Sequence, residues 1–411
     1  MMLPAVPKAS TEDRHWLLSA TMGLGHDRTI RPFLGEAMDG KVVSIGADEN
    51  SSWFERAFLG ATTRFYNSVS RMEDRSRLGH AVFQLCDGMQ RFPDYAPGVD
   101  LSKPNANNRR IDRLLAAGFG NRPFQEIARR PAPVLSSFYL ATQEALRYTE
   151  FPVYGLICDV EFNRVWLPTQ PKHPRLFHLV PTQRTADRML ATGAIADHIH
   201  VTGYPLPVEN TGTDGSVLRE DFAARAVRLA KGSAATRTLL FCIGGAGAQI
   251  GTAFDLLRQM APLIREGRYR FLVSCGNSAA VRDAVAKEFA RLRLPESRIG
   301  IVCGKDKAAY FRTFNETLRS TDLLVTKPSE LVFYCGLGIP LLLTSPLGHQ
   351  EVKNSDWARG IGAGEFLDRR NFLAYLGEGI GSGRFLEMAG KGLATDNAGA
   401  VGRILQIVHG N

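Results

Sequence analysis

The stretch TLLFCIGGAGAQIG (238–251) decides the fold, because an apolar run passes through a glycine-rich turn into a helical pattern. The stretch WLLSATMGLGH (16–26) repeats this arrangement near the start of the chain. A strand that enters a helix through a glycine turn is the first half of a βαβ unit. Glycine also leaves the backbone N–H groups of such a turn open to an anion. Two turns of this kind predict two α/β sheets.

Apolar runs of strand length alternate with helical patterns on both sides of these turns. The strands predicted in the first half are 16–20, 41–47, 132–137, 153–159, 175–180 and 198–203, with a helix at about 27–38. The strands predicted in the second half are 238–244, 269–275, 298–304, 322–327 and 339–345. Strands separated by helices favour parallel, doubly wound sheets. The predicted fold class is α/β, with two Rossmann-like domains that face an interdomain cleft.

The domain boundary is predicted in YPLPVENTGTDGS (204–216), which is rich in proline and turn-forming residues. We therefore expect an N-terminal domain at 1–207, a linker with a short helix at 208–235 and a C-terminal domain at 236–411. The last helices of the chain are candidates for crossing back to the first domain.

The composition is typical of a globular protein with more than one core. Of 411 residues, 44% are hydrophobic and 22% are charged. The N-terminus has no signal-peptide pattern, and no apolar run reaches the roughly 18 residues of a membrane-spanning helix, which predicts a cytoplasmic protein. Six cysteines stand far apart without a C-x-x-C pair. This spacing argues against a cysteine zinc site or a disulfide framework, and no metal is expected.

Part of the net charge of +9 is concentrated in residues 56–130, which hold 13 basic and 7 acidic side chains. Such a patch suits an anionic membrane surface or a phosphorylated substrate, and a solvated face without a partner is the alternative. The overlapping stretch WFERAFLGATTRFYN (53–67) mixes aromatic rings with arginines. It suits a membrane interface, although core packing explains the same aromatics. No nucleic-acid-binding motif is present, so no nucleic-acid partner is expected.

Seven stretches of the sequence together resemble one enzyme family. In chain order they are GLGH (23–26), CDVEFNRVW (158–166), HLVPTQRTADRMLATGAIADHIHVTGYPLP (178–207), IGGAGAQ (243–249), TKPSE (326–330), GLGIP (336–340) and GHQEVKNSDWARGIGAG (348–364). The series resembles the monogalactosyldiacylglycerol synthase and processive diacylglycerol glucosyltransferase family, glycosyltransferase family 28. It is more distantly similar to the peptidoglycan lipid-intermediate N-acetylglucosaminyltransferase.

This resemblance implies an inverting GT-B glycosyltransferase. Such an enzyme moves a hexosyl group from a nucleotide-diphosphate sugar, here expected to be a UDP-sugar, to a hydroxyl acceptor, here expected to be a lipid. It implies no cofactor and no metal, with the UDP-sugar as co-substrate. The C-terminal domain would bind the nucleotide sugar, and the N-terminal domain would bind the acceptor, peripherally at the inner face of a membrane. Helix N-termini and backbone amides can stabilise the leaving diphosphate where other enzymes use Mg²⁺.

The residues that the resemblance assigns to the nucleotide sugar lie in three stretches of the second half. They are Gly244, Gly245, Gly247, Gln249, Lys327, Ser329, Glu330, Gln350, Glu351 and Asn354. The glycine turn with Gln249 would hold the diphosphate. Gln350 and Asn354 would hold sugar and phosphate oxygens, since an amide both donates and accepts.

The TKPSE stretch (326–330) would lie beside the nucleotide. A solvated surface residue is the alternative for Lys327. Glu330 is the candidate for the ribose hydroxyls. It precedes Pro340 by ten residues, more than the family pattern has, which leaves the ribose contact and the base preference open.

On the acceptor side, His26 and Asp159 are the candidate catalytic residues. An inverting transfer needs a base to take the proton of the attacking hydroxyl, and histidine titrates near neutral pH. Asp159 would be the base itself or would orient His26, and capping of a helix is the alternative for both residues. The other acceptor-binding candidates are Gly23, Gly25, Glu161, Asn163 and Trp166.

Asn163 departs from the family pattern, Asp-x-x-x-His-x-x-Trp, which has a histidine at this position. Asp159 and Trp166 keep the spacing. Asparagine cannot accept a proton at neutral pH, so an acid–base role is lost here. The simplest interpretation is a changed acceptor.

Two other functions remain open from the sequence. Non-hydrolysing UDP-N-acetylglucosamine 2-epimerases share the two-domain architecture. A GT-B scaffold that has lost its chemistry would instead bind a nucleotide sugar or a partner, and Asn163 with the displaced Glu330 supports that alternative.

Overall fold

The computed structural model describes residues 14–20, 24–45, 93–118, 121–243, 247, 249–346 and 348–410. These residues form two compact units. The first unit contains the described residues up to Pro205 together with those from Gly399 onwards. The second unit runs from Leu206 to Ala398. The C-terminal end of the chain thus belongs to the first unit.

The first unit contains a six-stranded sheet in which all pairings are parallel. Its strands are β1 (His15–Ala20), β2 (Ala37–Ile45), β3 (Val134–Ser136), β4 (Val153–Leu156), β5 (Leu176–Val180) and β6 (Ile199–Val201). Their spatial order is β2-β1-β3-β4-β5-β6. The chain therefore adds β2 on one side of β1 and all later strands on the other, as in a doubly wound sheet.

The second unit repeats this plan with six further parallel strands. They are β7 (Arg237–Cys242), β8 (Tyr269–Gly276), β9 (Ile299–Cys303), β10 (Leu323–Thr326), β11 (Leu341–Leu343) and β12 (Gly364–Phe366). Their order is β12-β11-β10-β7-β8-β9. The edge strand β12 lies beyond the last predicted strand. Its residues Gly364–Phe366 include a glutamate and form no apolar run that would mark a strand in the sequence.

Helices connect the strands in both units. They are α1 (Gly25–Ile30), α2 (Ala106–Ala116), α3 (Asn121–Arg129), α4 (Tyr139–Tyr148), α5 (Gln183–Ala191), α6 (Val208–Thr211), α7 (Ser216–Leu229), α8 (Ile250–Arg265), α9 (Ala279–Leu292), α10 (Lys307–Arg319), α11 (Leu331–Gly336), α12 (His349–Gly360), α13 (Phe372–Gly381), α14 (Arg384–Leu393) and α15 (Ala400–His409). The α/β class with two Rossmann-like sheets, predicted from the alternating patterns, is confirmed.

The predicted helix at 27–38 was wrong in its second half. The α-helix ends at Ile30 and a 3-10 helix follows over Arg31–Glu36. Pro32 has no N–H for an α-helical hydrogen bond, which favours the change at this point. Strand β2 therefore begins at Ala37, four residues before the predicted start.

Strand β1 is buried on both faces, as parallel strands between helical layers are. Trp16 and Leu18 belong to one apolar cluster, and Leu17 belongs to another. The second cluster includes Ile404 and Val408 of α15. The last helix therefore completes the core of the first unit.

Helix α7, in the predicted linker, is part of the second unit. Arg225 is almost fully buried, and its guanidinium donates to the carbonyl oxygens of Thr321, Leu337 and Gly338. Burial lowers the pKa of Arg225 to about 10, so the side chain stays charged at neutral pH. These bonds attach α7 to the loops before β10 and β11.

Candidate functional site

Each sheet has one position where the chain changes from building one side to building the other. In the first sheet this position lies between β1 and β3, and in the second between β7 and β10. Loops that leave the carboxyl ends of such strands diverge and leave a crevice, the usual ligand site of open α/β sheets. The turns after β1 and β7 are the two glycine-rich stretches, so both fall at these positions.

His26 stands at the start of α1, half-buried beside the end of β3. Its Nδ1 lies 2.6 Å from the backbone carbonyl oxygen of Ser137. Because a carbonyl oxygen can only accept, Nδ1 donates its proton to it. In the neutral ring, Nε2 is then the nitrogen that can take up a proton. The fold thus sets the tautomer that a general base needs.

Ser137 was not predicted from the sequence, although it contacts both the ring and the backbone of His26. Its hydroxyl donates to the backbone carbonyl of His26 over 2.8 Å, and its N–H donates to the carbonyl of Leu18 in β1 over 3.0 Å. Ser137 is fully buried. The available signal was a pair of serines that ends an apolar strand, at the edge where ligand sites form.

Aromatic side chains surround the imidazole of His26. The ring of Phe138 meets it edge-on at 5.1 Å between centroids, and the ring of Trp166 lies 6.5 Å away. Tyr139 packs against Trp166 at 6.1 Å. Burial raises the pKa of Tyr139, so its phenol is neutral at physiological pH. The predicted residue Trp166 therefore forms part of an apolar wall beside His26.

Asp159 follows β4 and lies near His26 with Cys158 between them. The Cys158 Sγ is 3.7 Å from His26 Nδ1 and 3.8 Å from Asp159 Oδ2. All three side chains are half-buried. The structure thus brings both predicted catalytic residues to one edge of the first sheet, and their catalytic roles stay predictions.

Glu161 is held in a buried ion-pair cluster. Arg184 Nε donates to its Oε1 over 2.7 Å, and Arg188 Nη1 donates to its Oε2 over 2.7 Å. Arg188 also donates to the carbonyl of Phe162. With both oxygens engaged and the side chain buried, Glu161 is better suited to fixing the loop after β4 than to contacting an acceptor.

Asn163, which stands at the family's histidine position, caps a short helical turn. Its Oδ1 accepts from the N–H of Val165 at the start of the 3-10 helix Arg164–Trp166. Asn105 Nδ2 donates to the same oxygen over 3.4 Å. The side chain therefore positions Trp166, and the predicted acceptor contact stays a prediction.

In the second unit, Gln249 stands at the end of the glycine turn, with a left-handed backbone at φ +68°. Its side chain is buried, and Nε2 donates to Thr344 Oγ1 over 2.6 Å. Thr344 follows β11, and its N–H donates to the carbonyl of Thr326 at the end of β10. Gly247 also has a positive φ of +75°, which favours glycine there. The three loops are therefore joined at one edge of the sheet.

Lys327 and Glu351 form an ion pair beside this turn. Lys327 Nζ lies 2.7 Å from Glu351 Oε1, and both side chains are largely buried. Asn354 Nδ2 donates to the carbonyl of Pro328 over 3.2 Å. These contacts attach the first turns of α12 to the loop after β10. Lys327, Glu351 and Asn354, predicted from separate stretches, are thus neighbours.

The other predicted donor residues lie on the same loops. Ser329 is half-buried, and its N–H donates to the carbonyl of Lys327. Glu330 is half-buried with a left-handed backbone at φ +55°, immediately before α11. Gln350 is half-buried in the first turn of α12. Their contacts with ribose, sugar or phosphate stay predictions.

Several predictions fall on residues that are not described. Gly23, Gly244 and Gly245 lie outside the described residues, as does the aromatic stretch 53–67. The neighbouring candidate Gly25 begins α1, and its carbonyl accepts from Thr29 Oγ1. Among the helices of the described ranges, none is long and apolar enough to cross a membrane.

Comparison with known proteins gives relatives by sequence. A family model described as a domain of unknown function (DUF6938) matches residues 214–297 and 289–375. The chain is 19% identical over 257 residues to the processive diacylglycerol beta-glucosyltransferase of Bacillus subtilis (strain 168). That match covers 61% of this chain and 61% of the relative, so it spans less than two thirds of the relative's length.

Solved structures with the same fold cover nearly the whole chain. The UDP-GlcNAc 2-epimerase from Neisseria meningitidis bound to UDP-GlcNAc has a TM-score of 0.50 at 12% identity, over 96% of this chain and all of that one. The S. aureus MnaA–UDP co-structure has a TM-score of 0.50 at 13% identity, over 96% of each chain. Identities this low establish the fold alone. The chain therefore has the two Rossmann-like domains of the GT-B fold and is similar in sequence to the processive diacylglycerol glucosyltransferases of glycosyltransferase family 28.

Proposed function

We propose that the chain is an inverting, metal-independent glycosyltransferase that moves a hexosyl group from a UDP-sugar to a hydroxyl acceptor. The observation that carries this proposal is the arrangement of His26. Its Nδ1 donates to the Ser137 carbonyl at the end of β3, which leaves Nε2 to accept a proton. The sequence similarity to diacylglycerol glucosyltransferases supports the reaction class.

In the proposed reaction the acceptor hydroxyl oxygen attacks the anomeric carbon of the sugar. A new C–O bond forms while the bond between that carbon and the diphosphate oxygen breaks, and its electron pair leaves with UDP. The hydroxyl proton passes to His26 Nε2. Attack opposite the leaving group inverts the anomeric configuration. No oxidant, reductant or cofactor is required for this balance.

Donor binding is assigned to the second unit. Lys327 supplies a positive charge that Glu351 holds in place over 2.7 Å, and Gln249 directly precedes the N-terminus of α8. A cation and helix N-terminal amides stabilise a diphosphate as its charge grows. Gln350 and Asn354 lie on the first turns of α12, next to this charge, and would hold sugar oxygens.

A lipid is the proposed acceptor. Diacylglycerol is the acceptor class in the name of the similar Bacillus enzyme. The aromatic wall formed by Phe138, Tyr139 and Trp166 beside His26 suits an apolar molecule with one hydroxyl. The excess of basic residues in 56–130 suits peripheral attachment to an anionic membrane surface. The protein would then act in glycolipid biosynthesis from the cytoplasmic side.

The test is an assay of the full chain with UDP-glucose, UDP-galactose or UDP-GlcNAc, each with a short-chain diacylglycerol in anionic vesicles. A glycosylated lipid with inverted anomeric configuration supports the proposal. Conversion of UDP-GlcNAc to its 2-epimer without transfer would assign the chain to the epimerases instead. Calorimetry that detects binding of none of the three donors would favour a scaffold without chemistry.

A further inference from the structure

Three side chains with metal-ligating atoms meet at the amino-terminal edge of the first sheet. His15 begins β1, Glu36 is the last residue before β2, and His409 is the last residue of α15. Glu36 Oε2 lies 3.7 Å from His15 Nε2 and 3.2 Å from His409 Nε2. The three atoms all lie within 4.8 Å of one another. This His–Glu–His cluster is at the opposite edge from His26.

The cluster is held by elements of the core. Strands β1 and β2 pair in parallel, with His15 opposite Ala37, which places Glu36 beside His15. Helix α15 is fixed by Ile404 and Val408 in the apolar cluster that includes Leu17. The three ligand atoms are therefore brought together by the sheet and by the return of the last helix to it.

The burial of the cluster suits an ion that enters from solvent. The His15 side chain is 2% exposed, whereas those of Glu36 and His409 are 25% and 26% exposed. Within the described part of the chain, Glu36 Oε2 is itself buried and makes no hydrogen bond. A cation bound between this carboxylate oxygen and the two imidazole nitrogens would give all three atoms a common partner.

We propose that His15, Glu36 and His409 bind a divalent cation of the zinc class. Imidazole nitrogen and carboxylate oxygen bind Zn²⁺ at about 2.0–2.1 Å, which places tetrahedral ligand atoms about 3.3 Å apart. The two measured separations lie on either side of that value. Three protein ligands leave the fourth position to water. The ion joins the C-terminal helix to β1 and to the start of β2, so it stabilises the first unit.

The experiment uses the full chain, stripped with a chelator and then titrated with Zn²⁺. We expect about one bound equivalent that survives dialysis, and a rise in the thermal unfolding midpoint. Titration with Co²⁺ should give the visible absorption of a four-coordinate site. Glu36→Gln and His409→Ala should each weaken Zn²⁺ binding at least about tenfold and abolish the thermal shift, since each removes a ligand.

His200→Ala is the matched control, because His200 is a half-buried histidine of the same unit on β6. It should bind Zn²⁺ as the wild-type chain does. The two ligand variants change partly exposed side chains, so loss of the fold in one leaves the other as the test. The proposal is overturned if the wild-type chain retains no zinc, or if both ligand variants retain it as the His200 variant does.

Discussion

The two glycine-rich segments stand at equivalent places in the two sheets, but the side chains around them differ. Each follows the strand on either side of which the chain adds later strands, and a helix comes after each. In the first unit the second residue of the helix is His26, whose tautomer is set by the Ser137 carbonyl. In the second unit the turn ends in Gln249, next to loops that carry the Lys327–Glu351 ion pair. In the proposed function, the first segment would serve proton transfer and the second would bind an anion.

The difference shows that the βαβ unit determines the position of each segment in its sheet, but not which side chains surround it. A helix begins after each segment, at Gly25 in the first unit and at Ile250 in the second. The groups at the neighbouring strand ends differ. They are the backbone carbonyl of Ser137 after β3 in the first sheet and the side chain of Lys327 after β10 in the second. Variants at the two turns should therefore affect different steps.

The largest expected effect is on turnover, in the first unit. His26→Ala should lower the rate of transfer from UDP-sugar by about 100-fold or more, because the proposed general base is removed. Binding of the nucleotide sugar should be unchanged by calorimetry. His200→Ala, elsewhere in the same unit, should keep full activity. Equal loss of donor binding and turnover in the His26 variant would contradict the division between the two turns.

The second effect is on donor affinity. Lys327→Ala should weaken UDP-sugar binding by about 10- to 100-fold, because a charge-assisted contact is lost and Glu351 is left as an unpaired negative charge near the diphosphate. Glu351→Gln should cost less, since its amide oxygen still accepts from the lysine. The double variant Lys327→Ala/Glu351→Gln separates the two causes. Recovery of affinity in it would show that repulsion by Glu351 dominates.

A third prediction compares how the units respond to acid. Burial lowers the pKa of His178 to about 3, with smaller contributions from His198 and His200. In the unfolded chain this histidine takes up a proton below about pH 6.5, while the folded chain excludes it, so stability falls as the pH falls. Burial instead raises the pKa of Asp322 in the second unit, so the contribution of this carboxyl to stability rises as the pH falls. Acid should therefore destabilise the first unit through His178.

The measurement is the free energy of unfolding in urea at pH 7.5, 5.5 and 4.5 for the wild type and for His178→Leu. Below pH 6.5 the wild type should lose about 1.4 kcal/mol per pH unit relative to the variant, a tenfold change in the unfolding equilibrium. Any packing cost of leucine is the same at each pH and is read at pH 7.5. Parallel curves for the two proteins would contradict the prediction.

The smallest effect is expected at the backbone of the second turn. Gln249 adopts φ +68°, a conformation that glycine takes without strain, and its side chain donates to Thr344. Gln249→Gly should change the free energy of unfolding by less than about 1 kcal/mol, since relief of strain offsets the lost hydrogen bond. Gln249→Ala loses the bond and keeps the strain. Thermal unfolding should rank alanine below glycine, and the reverse order would contradict a strained turn.

Much of the fold could be predicted from local patterns. Eleven predicted strands correspond to β1–β11, because their apolar residues are contiguous in the sequence. Strand β12 was missed because no apolar run marks it in the sequence, and the change of helix type was missed although Pro32 is itself a local signal for it. The loops that carry the donor candidates could be predicted, because the carboxyl ends of adjacent parallel strands lie at one edge of a sheet. The contacts of Glu161 and Asn163 could not be predicted, because their partners Arg184, Arg188 and Asn105 come from other segments of the chain.

The sequence by itself determined two doubly wound sheets, the glycine-rich segments after their strands β1 and β7, and the histidine that follows the first of these segments. Each of these depends on residues close together in the chain. Only the tertiary structure decided which nitrogen of His26 accepts a proton, because the Ser137 carbonyl lies 111 residues away. It also decided that His15, Glu36 and His409 meet, since the last helix packs on the first strands. Strand order places the end of β3 beside β1, and the packing of α15 on the sheet places His409 beside His15 and Glu36. No local pattern specifies either arrangement.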